Sequence, residues 1–326
     1  MRKTADEFLS RIAGEYGNPD DPVGIKVHFG DEGNVTHLSP EWLKGLPSIF
    51  KHPVFIECNV LYKSKRSKRE THIALAKEHG FGFLPIDILD GAVGDNKIEV
   101  EIDTKNTKRA KLGAGISKYK KCIAITHFKG HMAAGFGGAL KNIGMGLGSR
   151  AGKLDMHASV SPRVNTKACI ACSACAKDCP VKAISVGEFA IIDSKKCIGC
   201  AHCIGVCPTG AMTIPWGASP VERLMEKIAE YSLALSKGRE WRFINFLTNI
   251  TPECDCMAGK QVPMMKDIGV LYSSDPVAID QASADLAITQ YGKDPFKEHH
   301  KINWEHTLKY AEEIGLGSRK YELVKV

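Results

Sequence analysis

With 326 residues, 44% apolar and 25% charged, the chain has the composition of an ordinary globular protein with room for about two domains. No apolar run approaches the roughly 20 residues of a membrane span, and the N-terminus turns acidic before any apolar region, so neither a membrane nor a signal peptide is expected. A formal charge of +7 is too modest to argue for nucleic acid and fits an anionic small molecule or an acidic redox partner.

Thr4 to Glu7 reads as a capping box opening a helix with Phe8, Leu9, Ile12 and Tyr16 on one face. Residues 23–29 read as a buried strand running into the glycine turn Gly30-Asp-Glu-Gly33-Asn34, then a helix capped at Ser39 with Pro40 first. Strand, glycine turn and helix begin a doubly wound α/β layout, in which ligands collect beyond the strand ends. The alternation continues with strands at 54–60, 83–89, 98–102 and 121–127 and a helix at 70–79. Beyond residue 217 come helices at 220–235 and 276–291, the second capped by Asp275, and strands at 243–250 and 268–272. A final helix and strand end at Val326.

The middle of the chain is different. Cys169, Cys172, Cys175 and Cys179-Pro180 repeat twenty-eight residues later as Cys197, Cys200, Cys203 and Cys207-Pro208. Each copy reads C-x2-C-x2-C-x3-C-P, the bacterial-ferredoxin spacing for [4Fe–4S] ligation, whose fourth cysteine serves the other cluster. Cys169, Cys172, Cys175 and Cys207 are therefore expected to hold one cluster, and Cys197, Cys200, Cys203 and Cys179 the second. Zinc knuckles or a disulfide framework are the alternatives; zinc rarely needs eight cysteines so spaced, and disulfides suit small secreted chains. Loaded with two clusters of roughly −2 each, the protein would sit near +3, since thiolates are the ligand form. Such cysteine usage implies a reducing cytoplasm, that of an anaerobe. The expected architecture is one α/β domain over 1–158 and 217–326 with a ferredoxin-like (α+β) two-cluster module inserted at 159–216.

Residues 130–152 hold eight glycines and match neither a Walker loop nor G-x-G-x-x-G. Glycines at a helix start let backbone N–H groups approach an anion, so Gly135, Gly137, Gly138 and Asn142 are read as an anion site; close helix packing is the rival. Lys26, His28, His127, Lys129, His131, Lys141 and His157 surround it, the first four at strand ends. His28, His127 and Lys141 are the candidate proton donors. Cys254 and Cys256 could bind a metal or exchange as a redox pair, whereas Cys58 and Cys122 sit in apolar strands and read as core. The cationic run from Lys63 to Arg69 is a solvated face or a docking patch for an acidic partner.

Several stretches together resemble the family named domain of unknown function 362, in the branch with an inserted two-cluster ferredoxin. They are Lys26-Val-His28-Phe-Gly30-Asp-Glu-Gly33-Asn34, Thr126-His127-Phe-Lys129-Gly130-His131, Gly137-Gly138-Ala-Leu-Lys141-Asn142, Asp255-Cys256, and Asp267 through Asp280. The resemblance implies an iron–sulfur protein and supports the insertion boundaries. The function expected is an iron–sulfur oxidoreductase that takes electrons from a redox partner and passes them to an anionic ligand on the α/β domain. The rivals are a pure electron carrier that docks a partner enzyme and a scaffold with structural clusters. No flavin, nicotinamide or haem signature is present.

Overall fold

The computed structural model describes residues 1–17, 19–158 and 161–325, so the composition shift at Ser159 and the terminal Val326 lie outside the described residues. Six strands build the central sheet: β1 (Val23–Lys26), β2 (Pro53–Glu57), β3 (Ile86–Ile88), β4 (Lys121–His127), β5 (Glu240–Leu247) and β6 (Gly269–Ser273). They lie in the order β6-β5-β4-β1-β2-β3. Every pairing is parallel except β5 with β6. Read from the other edge the order is 3-2-1-4-5-6, so the direction of winding reverses between β1 and β4, where doubly wound sheets form a ligand crevice at the carboxyl ends of their strands.

Side-chain alternation divides the core between the two faces of the sheet. Cys122, Ala124 and Phe243 face one side, with Leu140 and Ile143 of α3 (Ala139–Gly144) and Ile228 and Tyr231 of α5 (Val221–Ser236). Ile123, Ile125, Ile244 and Phe246 face the other, with Phe8, Leu9, Ile12 and Tyr16 of α1 (Arg2–Tyr16). Cys58 and Cys122 are fully buried core residues.

Several elements differ from their sequence reading. The first helix begins at Arg2 with Met1 as N-cap and no side-chain cap, so Thr4 does not open it. The helix expected after Ser39 is a 3-10 turn, Pro40–Leu43, followed by a four-residue helix. Lys97–Glu101 forms a separate hairpin with Arg109–Gly113 and never joins the sheet. Among the described residues no strand follows the last helix, Glu305–Glu313. The helix α2 (Arg69–Ala76) ends in a π turn, Lys77–Phe81. The helix α6 (Pro276–Tyr291) is capped as expected, Asp275 accepting from Val277 and Ala278 N–H.

The cysteine-rich segment contributes only two-stranded pairs: Arg163–Val164 with Met212–Thr213, and Ile184–Val186 with Ala190–Ile192. Its ends leave from neighbouring helices, α4 (Arg150–His157) and α5. Lys227 donates to the Asp155 carboxylate at 2.9 Å, and Ser219 donates to Ala158 O at 3.1 Å, so the two ends are clamped side by side.

The glycine run brings α3 against α5 and α6. A Cβ on Gly144 would lie 2.3 Å from Ile228 O, and one on Gly138 would lie 2.3 Å from an Asp280 oxygen. Gly138→Leu is therefore expected to cost about 3 kcal/mol by overpacking, read by urea unfolding, while Lys141→Ala stays within about 0.5 kcal/mol.

Candidate functional site

The crevice at the carboxyl ends of β1 and β4 is lined with cations, each held in place by acceptors from distant parts of the chain. Lys26 is fully buried and donates to Glu57 at 3.0 Å, Asn142 Oδ1 at 2.7 Å and Val27 O at 3.2 Å. Burial pulls its ammonium down to about 8, against the support of Glu57. Asn142 is fixed in turn by donating to Ile125 O and Thr126 Oγ1. Glu57 also accepts from Arg66 at 3.3 Å, and Arg66 reaches His28 Nε2 at 2.9 Å and donates to His72. Arg66 is thus a buried organiser of the site, and the run from Lys63 to Arg69 is not the uniform solvated face that its composition implies. His28 Nδ1 accepts from Gly30 N–H at 3.1 Å. Burial first, then Arg66, Lys129, Lys26 and Lys141, hold His28 well below the usual imidazole range.

Asp255 organises the opposite wall. Its carboxylate, wholly buried, accepts from His127 Nδ1 and Lys129, both at 3.0 Å. Burial would raise its pKa, but His127 and Lys129 outweigh that and hold it well below the usual carboxylate range. The Nε2 of His127 meets the carbonyls of Thr248 and Asn249 at 3.0 and 3.1 Å, so both ring nitrogens of this candidate proton donor are already engaged. Asp255 O accepts from Asp31 N–H, and Gly33 O from Gly259 N–H, tying the first glycine turn to this loop. Tyr62 and Ser64 both donate to the Asp31 carboxylate at 2.6 Å.

Between these walls lie His131, Cys254 and Cys256, whose ligand-type atoms are within 4.8 Å of one another. His131 and Lys129 share one face of a small hairpin, Lys129–His131 with Gly135–Gly137. Cys254 is buried and Cys256 half-buried. The hydrogen bond from Cys256 holds the Cys254 thiol well below its usual range, assisted by Lys141 and Lys129 against burial, and that bond pushes Cys256 up. The Lys141 side chain makes no hydrogen bond or ion pair among the described residues and remains half-exposed. His131 and His157 are crowded by protein yet keep surface toward solvent, as in a concave site. Burial, then Lys141, lowers both, His157 to about 3.

The helix start read as an anion cradle is already filled. Ala139 and Leu140 N–H donate to the Asp280 carboxylate at 2.6 and 3.0 Å, and Asn245 donates to it at 2.9 Å. An internal carboxylate has taken the place expected for a ligand. Gly135, at φ 76°, packs on Trp304, and a Cβ there would come within 2.6 Å of it. Gly137 alone of the three faces the cations: a Cβ there would touch the Lys129 and Lys141 chains at 3.5 and 3.7 Å.

In the cysteine-rich segment two pockets lie side by side. Cys169, Cys172, Cys175 and Cys207 line one; Cys179, Cys197, Cys200 and Cys203 line the other. Left-handed residues recur twenty-eight positions apart at Ala171 and Gly199, Ser173 and Ala201, and Lys182 and Gly210, so the two loops wrap their pockets alike. Ala183 N–H donates to Cys179 Sγ at 3.2 Å, and Ala190 N–H to Cys169 Sγ at 3.4 Å. Burial disfavours the Cys207 thiolate, but the amides of Met212, Thr209 and Ala211 and the Thr209 hydroxyl outweigh it. Four sulfurs per pocket, with amide donors turned toward them, form a donor set suited to a thiophilic metal or an iron–sulfur cluster. Ala201 belongs to a small apolar group with Leu61, Leu154 and Ile214, against which Tyr62 packs. The loop of the second pocket thereby reaches a side chain close to Cys256.

Fold and site define a cysteine-rich α/β protein with a parallel-dominant sheet and cysteine-lined pockets suited to binding metal. The chain belongs to the family described as domain of unknown function (DUF362), whose model matches residues 23–285. Among solved structures it is similar to a protein from Thermotoga maritima, at 10% identity and TM-score 0.39, covering 76% of this chain and 50% of that one. It is also similar to the lactate racemase apoprotein from Thermoanaerobacterium thermosaccharolyticum, at 12% identity and TM-score 0.38, covering 74% and 49%. The chain spans about half the length of these two proteins. A search of the curated proteins finds no match. No described helix is long and apolar enough to cross a membrane.

Asp280 gives this region a pH dependence. Burial pushes its carboxyl from 3.8 up to about 6, although the amides of Leu140 and Ala139 and the Asn245 side chain pull the other way. The folded protein then keeps a proton that the unfolded chain has lost. That stabilisation is present below about pH 4 and is lost as pH rises through about 6. Measured by urea unfolding from about pH 4.5 to 7.5, the stability of the natural protein relative to Asp280→Asn should fall by roughly 2 kcal/mol.

Proposed function

We propose that this chain is an iron–sulfur electron-transfer protein of the oxidoreductase type. Cys169, Cys172, Cys175 and Cys207 hold one [4Fe–4S] cluster, and Cys179, Cys197, Cys200 and Cys203 the other, in a ferredoxin-like module over 159–216. The remainder, 1–158 and 217–326, forms the α/β domain that binds an anionic substrate or cofactor in the crevice. A ferredoxin or reductase of a reducing cytoplasm serves as redox partner, and the clusters supply electrons one at a time.

One observation carries the reading. The eight cysteines divide between two pockets in the crossed set that the spacing requires, three from one copy of the motif and the fourth from the other. A framework of disulfides or separate knuckles has no need of that crossing. The receiving end of the path is supported by the cation-lined crevice, where Lys141 has no acceptor of its own among the described residues. The same crevice favours this reading over a carrier whose larger domain only docks.

Protein purified and reconstituted without oxygen should contain about eight irons and eight acid-labile sulfides per chain. Four irons or fewer, or stoichiometric zinc, would refute the assignment. Cys179→Ser should disturb the electron paramagnetic resonance signal of the cluster held by Cys197, Cys200 and Cys203, and spare that of its own sequence neighbours.

A further inference from the structure

Cys254 and Cys256 need a partner chemistry of their own, and the geometry discriminates between two. A metal bridging His131, Cys254 and Cys256 would require an imidazole nitrogen with a free lone pair facing the sulfurs. His131 Nδ1 instead accepts the N–H of Ala133 at 3.1 Å, which puts the ring proton on Nε2. A protonated nitrogen donates and does not ligate. Met257 N–H donates to Cys254 O at 2.9 Å, closing a β-turn over the two cysteines. Their sulfurs lie within 4.8 Å of one another and share a hydrogen bond, so a short approach brings them to the bonding distance of a disulfide. The Asp255 carboxylate is turned away to His127 and Lys129, leaving the mouth of the site to Lys141.

We propose that Cys254 and Cys256 form a redox-active dithiol–disulfide couple that exchanges with a small anionic disulfide, its charge received by Lys141. Cys256, the less buried sulfur, passes the proton of its hydrogen bond to Cys254 and as thiolate attacks one sulfur of the substrate, and the substrate S–S bond breaks to release the first thiol. Cys254 then attacks Cys256 in the mixed disulfide, and the second thiol leaves. The dithiol is oxidised by two electrons, the substrate disulfide is reduced by two, and the shared proton of the pair and one from water depart with the two thiols. The reverse exchange restores the dithiol. This names the substrate class of the crevice described above and rests on that reading only for the resupply of electrons.

The test uses the cluster-loaded protein under nitrogen with oxidised glutathione as the probe. Mass analysis of the proteolytic peptide containing residues 254–256 should show an internal disulfide in the natural protein. Cys254→Ser should instead trap a glutathione adduct on Cys256, and Cys256→Ser should trap none. Lys141→Ala should slow adduct formation on Cys254→Ser several-fold with glutathione, but not with uncharged hydroxyethyl disulfide. No adduct on Cys254→Ser, equal adducts on both variants, or one equivalent of a divalent metal protecting both thiols would overturn the proposal, as would a Lys141 effect that ignores probe charge. Iron content, measured on the same samples, reports separately on the clusters.

Discussion

A buried carboxylate gripped by a histidine and a lysine holds the crevice together. Asp255 has no access to water, and removing either partner would strip a hydrogen bond from a buried charge, a loss of about 1.5–3 kcal/mol. His127 brings β4 to this point and Lys129 brings the hairpin that follows it. The loop 254–257 is pinned from its other side by the first glycine turn. Because Asp255 points into that pair, its neighbours in sequence are turned the other way, toward His131 and Lys141. Cysteine placement here follows from charge satisfaction one residue away.

A second network, centred on Glu57, does the same for the opposite wall. Lys26 and Arg66 converge on one carboxylate oxygen, and the ammonium continues to Asn142. Two cations sharing one carboxylate leave the wall with a positive excess, to which Lys141 and Lys153 add. Such a field raises the local concentration of anions before any specific contact forms.

Much of this architecture was legible in the sequence. The strand at 121–127 and the helix at 276–291 each rest on a local spacing, and local spacings survive folding. What was not legible depended on partners far away in the chain. Lys26 read as facing a ligand, but its acceptors arrive from 31 and 116 residues downstream. The glycine run read as an empty cradle, yet Asp280 enters it from 141 residues beyond Ala139. Arg66 could not be told from its lysine neighbours on paper, because only the position of Glu57 makes it a buried ion. Even the packing role of Gly138 and Gly144 was visible only as an alternative, since nothing local names the side chain or carbonyl that approaches them.

The left-handed residues of the cysteine segment bear on how the protein is made. Ala171, Ser173, Lys182 and Ala201 carry side chains at φ from 49° to 62°, a region that costs about 1–2 kcal/mol per residue. The apolar core available to offset this is small: Cys175, Ala190, Cys203, Met212 and a few half-buried neighbours. On the iron–sulfur reading, most of the segment's ordering energy would come from metal–thiolate bonds, as in small metal-dependent domains. The sheet has no such dependence, because β5 pairs directly with β4 across the inserted segment. The newly synthesised chain would then present a finished α/β body carrying an open loop of eight thiols, a form that a cluster-assembly apparatus could load without unfolding anything else.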